Sequence, residues 1–216
     1  EYVRGTISLE EMKQKVEWEK RWTWSFQVYE SIFVTARELK IPLIALNVNS
    51  EDLQLVENGG FPNLPRPIFE KYITDTKGFA QFIQSSSYQC YADYVISPSY
   101  KMHKAMGLLE YSNTGQKLEQ PMSYRNFFSA RILWDECMAT QAYKWSRANP
   151  TGLLLGLVGA DHVKFQNGIP ARYDRLASNE GTKNVDYSIS ILLNPSLIDS
   201  SRSGSFCGSR GMTRLG

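Results

Sequence analysis

An α/β domain, with a mixed and mostly parallel sheet flanked by helices, is the fold class predicted by the 216-residue sequence. Three observations predict it. Residues 43–47 and 153–158 are short, almost uninterrupted apolar runs, the pattern of strands covered on both faces. Each run follows a stretch with helical periodicity, giving the helix-then-strand order of α/β units. Residues 187–192, Tyr-Ser-Ile-Ser-Ile-Leu, alternate polar and apolar side chains, as a last strand would.

The elements follow in chain order. Ser8-Leu-Glu-Glu11 is a capping box and predicts a helix from about Leu9. Trp18, Trp22, Phe26, Tyr29 and Phe33 step by three or four residues, which places large aromatic groups on one helical face until Pro42 ends the pattern. A short helix is expected from Ser50, stopped at Asn58-Gly59-Gly60 by left-handed caps. Residues 61–67 carry three prolines and read as an ordered loop. From Ile68 to about Met106 the pattern is helical in places, with Ser85-Ser-Ser87 and Pro98 interrupting it. Residues 109–122 form a polar excursion. Residues 127–145 contain neither Gly nor Pro and are apolar nearly all round, which predicts a buried helix. Residues 169–176 start another, with Pro170 in its first turn. After Pro195 the Ser, Gly and Arg-rich sequence predicts a disordered tail, so one domain over 1–193 precedes a tail over 194–216.

Composition narrows the function. Hydrophobic residues make up 42% and charged residues 21%, as in ordinary globular domains. Twenty-four basic against 22 acidic residues, with no basic stripe, argue against a nucleic-acid partner. Cys90, Cys137 and Cys207 are too far apart for a metal knuckle, and their odd number predicts no disulfide framework. No apolar run reaches the roughly 20 residues of a membrane span. Nucleophile elbow, phosphate loop, dinucleotide fingerprint and His-Glu-x-x-His are all missing from the sequence.

Two motifs stand out. His162 closes Gly159-Ala-Asp-His162 at the end of a predicted strand, where α/β sheets place functional groups; there an imidazole binds a metal, ligates haem or moves a proton. Gly159 suggests close backbone packing, and Asp161 is a candidate to orient the ring. A histidine simply hydrogen-bonded in a turn is the structural alternative. In Trp134-Asp-Glu-Cys-Met-Ala139, two carboxylates fall in a helix expected to be buried, where they need partners. Arg131 stands four residues before Asp135 and can pair with it, whereas Glu136 has no such neighbour and is the more suspicious of the two. His103, flanked by lysines, reads as a surface or helix-end histidine.

The blocks Tyr2-Val-Arg-Gly-Thr-Ile-Ser8, Trp18-Glu-Lys-Arg-Trp22, Ile41-Pro-Leu-Ile-Ala-Leu-Asn47, Trp134-Asp-Glu-Cys-Met-Ala139, and Gly159-Ala-Asp-His-Val163 with Gly168-Ile-Pro-Ala-Arg172 resemble the ChaN domain in order and spacing. That family belongs to the haem-binding-uptake and Tiki superfamily, whose members resemble erythromycin esterases in fold. The resemblance implies a mixed α/β domain and a role in haem or iron handling. Its cofactor would be haem, with Gly159 and His162 near it, Glu136 nearby, and a tyrosine or His103 as the candidate axial ligand. The alternative is a Tiki-like hydrolase in which His162 and Glu136 hold a divalent metal, or a scaffold that has lost its site. The family's first strand, with its glycine-glutamate and histidine motif, has no counterpart here, so the domain is expected to lack it. The resemblance also implies a plant plastid-type member, chloroplast localisation and, as one assembly, a homodimer.

Overall fold

The computed structural model describes residues 1–22, 24–179 and 188–193. Among them the architecture is helical, and the expected mixed sheet is not formed: no strand occurs, and the one β-bridge, Tyr111 to Lys117, is isolated. This corrects the α/β reading, and the reason is physical. A strand exists only through a ladder with a neighbour. Residues 41–46 and 152–159 run without regular structure and, among the described residues, without such a neighbour, and their side chains meet solvent: Leu153 is 91% and Leu155 78% exposed. Residues 188–193 behave alike, with Ile189, Ile191 and Leu193 exposed; Tyr187 and the tail over 194–216 lie outside the described residues.

The capping box forms as expected. The Ser8 hydroxyl accepts from the Glu11 amide at 3.1 Å, and Glu11 accepts from the Ser8 amide at 2.7 Å, opening α1 (Leu9–Lys15). The aromatic stretch is not one helix. Left-handed Glu17 (φ 51°) separates α1 from α2 (Trp18–Arg21), a 3₁₀ turn occupies Phe26–Val28, and α3 (Glu30–Glu38) follows. The aromatic groups meet by folding back instead of by helical spacing. Trp18 contacts Phe26 edge-on at 5.0 Å and Phe33 at 5.8 Å, and its indole N–H donates to the Trp24 carbonyl at 3.0 Å. With Tyr2 and Met12 these rings make a small core of their own.

The main core is built around one long helix. α4 (Ser50–Gly59) is capped by Asn49, whose side chain accepts from the Glu51 amide, and ends at Gly60, whose φ of +72° suits glycine. The proline-rich loop resolves into a 3₁₀ turn at Phe61–Asn63 and α5 (Arg66–Tyr72), with Pro67 in its first turn. α6 (Thr76–Gln84), α7 (Ser86–Tyr91), a π-turn over Ala92–Ile96 and α8 (Ser97–Ala105) follow. The wide turn coincides with Pro98, which has no N–H to return to the preceding turn. The excursion over 109–122 is polar at its tip, yet Leu109, Leu118 and Met122 are buried at its base.

α9 (Tyr124–Ala148) is longer than the predicted 127–145 and is the spine of the fold, with α4, α5, α8 and α10 (Ile169–Asn179) packed along it. Leu53, Val56, Ile73, Ile96, Ile132 and Leu133 are nearly inaccessible there. Each contributes roughly 1.5–3 kcal/mol by leaving water. The same packing carries Asp135, Glu136 and Arg172 out of solvent completely. Among the described residues no helix is long and apolar enough to cross a membrane.

Candidate functional site

Between the exposed run over 152–159 and α10, the chain makes two successive 3₁₀ turns, Ala160–His162 and Lys164–Gln166. His162 donates its backbone N–H to the Gly159 carbonyl at 3.0 Å, which closes the first turn. Gly168 makes the second approach possible. A Cβ there would lie 1.8 Å from the His162 carbonyl oxygen, whereas one at Gly159 would meet only His162 Cδ2, at an ordinary 3.5 Å. Gly168, not Gly159, is therefore the glycine on which the placement of His162 depends. Arg172 pulls the same loop onto the core, donating through Nη1 to the carbonyls of Asn167 and Gly168 at 3.0 Å each. The Tyr91 hydroxyl fastens the other side by donating to the Asp161 carbonyl.

This anchoring sets the His162 ring against α9. Nδ1 is hydrogen-bonded to Asp135 Oδ1, and the ring meets Trp134 edge-on at 5.5 Å. Only 12% of the imidazole is exposed, and the carboxylate is wholly buried. Burial acts to raise the Asp135 pKa, but His162, Arg131 (Nε 3.7 Å away) and Arg172 (Nη1 3.9 Å away) together outweigh it and hold the carboxyl below its ordinary value. An ionised acceptor on Nδ1 places a ring proton there, so that in the neutral imidazole Nε2 is the lone-pair donor. Nε2 has no hydrogen-bond partner among the described residues.

Glu136 faces a different neighbourhood. It is bonded to the Arg175 guanidinium, and its second oxygen lies 3.4 Å from Arg172 Nε. Burial pushes its pKa up despite both arginines. Arg175 also reaches Asp75 at 3.4 Å, and Arg172 stacks on Phe82 and Tyr88, each at 4.9 Å, while donating to the Tyr88 hydroxyl. Cations thus already occupy the surroundings of Glu136, an unsuitable setting for a second cation shared with His162. Among the described residues no three His, Cys, Asp or Glu side chains gather as a metal site.

His103 lies elsewhere, in the last turn of α8. Its Nδ1 sits 2.7 Å from the Ser99 carbonyl and its ring 5.3 Å from that of Phe127, the setting of a helix-end histidine. Asp161, expected to orient His162, instead pairs with Lys164 at 3.0 Å. The structure therefore joins Gly159 and His162 but separates Glu136 and His103 from them. Sequence reasoning missed Asp135 as the partner of the ring, together with Arg172, Arg175 and Gly168. The signal for Asp135 was its presence in a helix expected to be buried; those for the arginines are long-range and have no local spacing.

A haem iron needs a neutral, oriented imidazole nitrogen, and the buried carboxylate on Nδ1 with a free Nε2 fits that requirement. No curated protein and no solved structure shows significant similarity to the chain. The family described as haem-binding uptake, Tiki superfamily, ChaN, matches residues 1–173, and the chain belongs to that family.

Proposed function

We propose that this chain binds haem, with His162 Nε2 as an axial ligand and Asp135 as the residue that positions it. The carrying observation is the Asp135–His162 pair, in which a wholly buried carboxylate holds one ring nitrogen and leaves the other free. Carboxylate, imidazole and metal in series form a recurring arrangement, because the carboxylate fixes the tautomer and strengthens the nitrogen as a donor. Bound haem would supply an iron centre able to take such a nitrogen as ligand. The protein's part is to keep the ring from rotating: Gly168 and Arg172 fix the backbone, and Asp135 and Trp134 fix the side chain.

Titration of the chain with hemin tests this directly. Wild type is expected to shift and sharpen the Soret band at one equivalent. His162→Ala should lose the histidine-ligated spectrum, and Asp135→Asn should keep it with affinity weakened about 10–100-fold, the usual range for such a partner. An identical spectrum and affinity in His162→Ala would remove this residue from the site.

A further inference from the structure

The polar excursion over 109–122 meets the end of α4 through a compact turn. Ser112 donates its N–H to the Gln116 carbonyl at 2.8 Å, its hydroxyl accepts from the Gln116 amide at 3.2 Å, and Gly115 closes the tip with φ +76°. Two side chains of α4 hold this turn. Gln54 donates to Gln116 Oε1 at 2.9 Å, and Glu57 accepts the Asn113 amide on both carboxyl oxygens at 3.2 Å. The first tie lies in solvent, whereas Glu57 is only 5% exposed.

The surroundings of the turn are fixed without it. Asn126 of α9 donates to the Glu57 and Asn58 carbonyls at 3.2 and 3.0 Å, which holds the end of α4. Leu109, Leu118 and Met122 are buried at the base of the excursion, where the Leu118 and Met122 amides donate to the Glu110 and Leu109 carbonyls at 2.8 and 2.7 Å. The 112–117 turn can therefore lift as a unit from a base that stays packed.

The elements packed around Glu57 supply no counter-ion. Glu51 and Asp52 of α4 are engaged by Arg21 and Tyr72, and Arg131 of α9 pairs with Asp135. Glu110, Lys117 and Glu119 of the excursion and Arg125 of α9 are exposed and, among the described residues, form no ion pair with Glu57; the Phe61–Asn63 turn carries no charge. Burial therefore favours the neutral carboxyl and pushes its pKa up to about 7, with the Asn113 hydrogen bond opposing. A neutral carboxyl also brings an O–H donor, and Asn113 Oδ1 is a buried acceptor without a partner among the described residues.

We propose that the 112–117 turn is a pH-operated flap, docked on α4 while Glu57 is neutral and released as Glu57 ionises. The docked form carries the raised pKa, so its advantage is complete below about pH 4 and is lost as pH rises through about 7. Lifting the turn gives the carboxylate water without unfolding the helices behind it.

Amide hydrogen exchange of the whole chain, followed by NMR, tests the flap. Between pH 5 and 8 the protection of the Asn113 amide, corrected for the intrinsic pH dependence of exchange, should fall roughly 50–100-fold. Low urea should hardly change it, because a local opening exposes little surface, whereas the Leu133 amide in α9 should exchange through global unfolding with full urea dependence. Glu57→Gln keeps an acceptor for the Asn113 amide and cannot ionise, so its Asn113 protection should stay level over the same range. Level protection in wild type, equal urea dependence for Asn113 and Leu133, or an undiminished pH effect in Glu57→Gln overturns the flap. The wild-type titration and its urea dependence need no variant, so the test stands even where Glu57→Gln fails to fold.

Discussion

The apolar run over 153–158 and the α9 segment around Asp135 invert the usual rule of inside and outside. Leu153, Leu155 and Leu157 are 91%, 78% and 64% exposed, whereas Asp135, Glu136 and Arg172 are 0% exposed. The difference shows that position follows partnership more than polarity. Asp135 finds Arg131 on α9, Arg172 on α10 and the His162 ring, which together outweigh its desolvation, and Glu136 finds Arg172 and Arg175 on α10, which oppose its desolvation in part. The leucines need a neighbouring strand, and among the described residues none pairs with them. A buried charge network with its partners in place also locks the geometry of His162, something an apolar core of equal volume would not do.

If the network holds this region together, removing its central cation should have the largest effect. Arg172→Met leaves two carboxylates buried with fewer counter-charges and frees the carbonyls of Asn167 and Gly168. We expect destabilisation of about 3–5 kcal/mol by urea unfolding, the range for breaking a buried pair from one side. Arg66→Met, which breaks the exposed Arg66–Glu70 pair of 2.7 Å, should leave the midpoint unchanged. Equal midpoints for the two variants would mean that burial of the charges in α9 has no energetic consequence, and the comparison would fail.

A third buried carboxylate sharpens the contrast because it has no counter-ion among the described residues. Glu57, near the C-terminal end of α4, is 5% exposed, and both of its oxygens accept from the Asn113 amide at 3.2 Å. Burial pushes its pKa up to about 7, with the Asn113 hydrogen bond opposing. In the unfolded chain a glutamate titrates near 4.3, so between about pH 4.3 and 7 the folded protein binds the extra proton. Stability from this group is therefore complete below about pH 4 and is lost as pH rises through 7. Glu57→Gln should match wild type at pH 4 and exceed it by roughly 3–4 kcal/mol at pH 8. A difference that is the same at both pH values would show that Glu57 does not titrate in this range.

How far these features were legible in the sequence follows the distance over which each is determined. The Ser8 capping box, the Gly60 stop and the long buried α9 depend on residues within a few positions, and each was readable. His162 was readable from its Gly-x-x-His setting. Glu136 was conspicuous because no cation stood at helical spacing, and its partners proved to be Arg172 and Arg175, the latter 39 positions away. Asp135 had a local partner in Arg131, which concealed its closer bond to His162, 27 positions on. The sheet failed for the same reason. Periodicity reports that residues 43–47 and 153–158 are apolar, but a ladder depends on what lies alongside.

The smallest expected effect is the most discriminating for that last point. Leu155→Ser alters a side chain already 78% in water and should change stability by less than about 0.5 kcal/mol. Leu133→Ala, in the inaccessible center of α9, should cost about 2–5 kcal/mol through lost transfer energy and an unfilled cavity. Both variants stay within ordinary mutational chemistry, so the gap between them isolates burial. Were Leu155→Ser to lose as much as Leu133→Ala, the 153–158 run would have to be covered in solution, and the exposed leucines would join the core they resemble in composition.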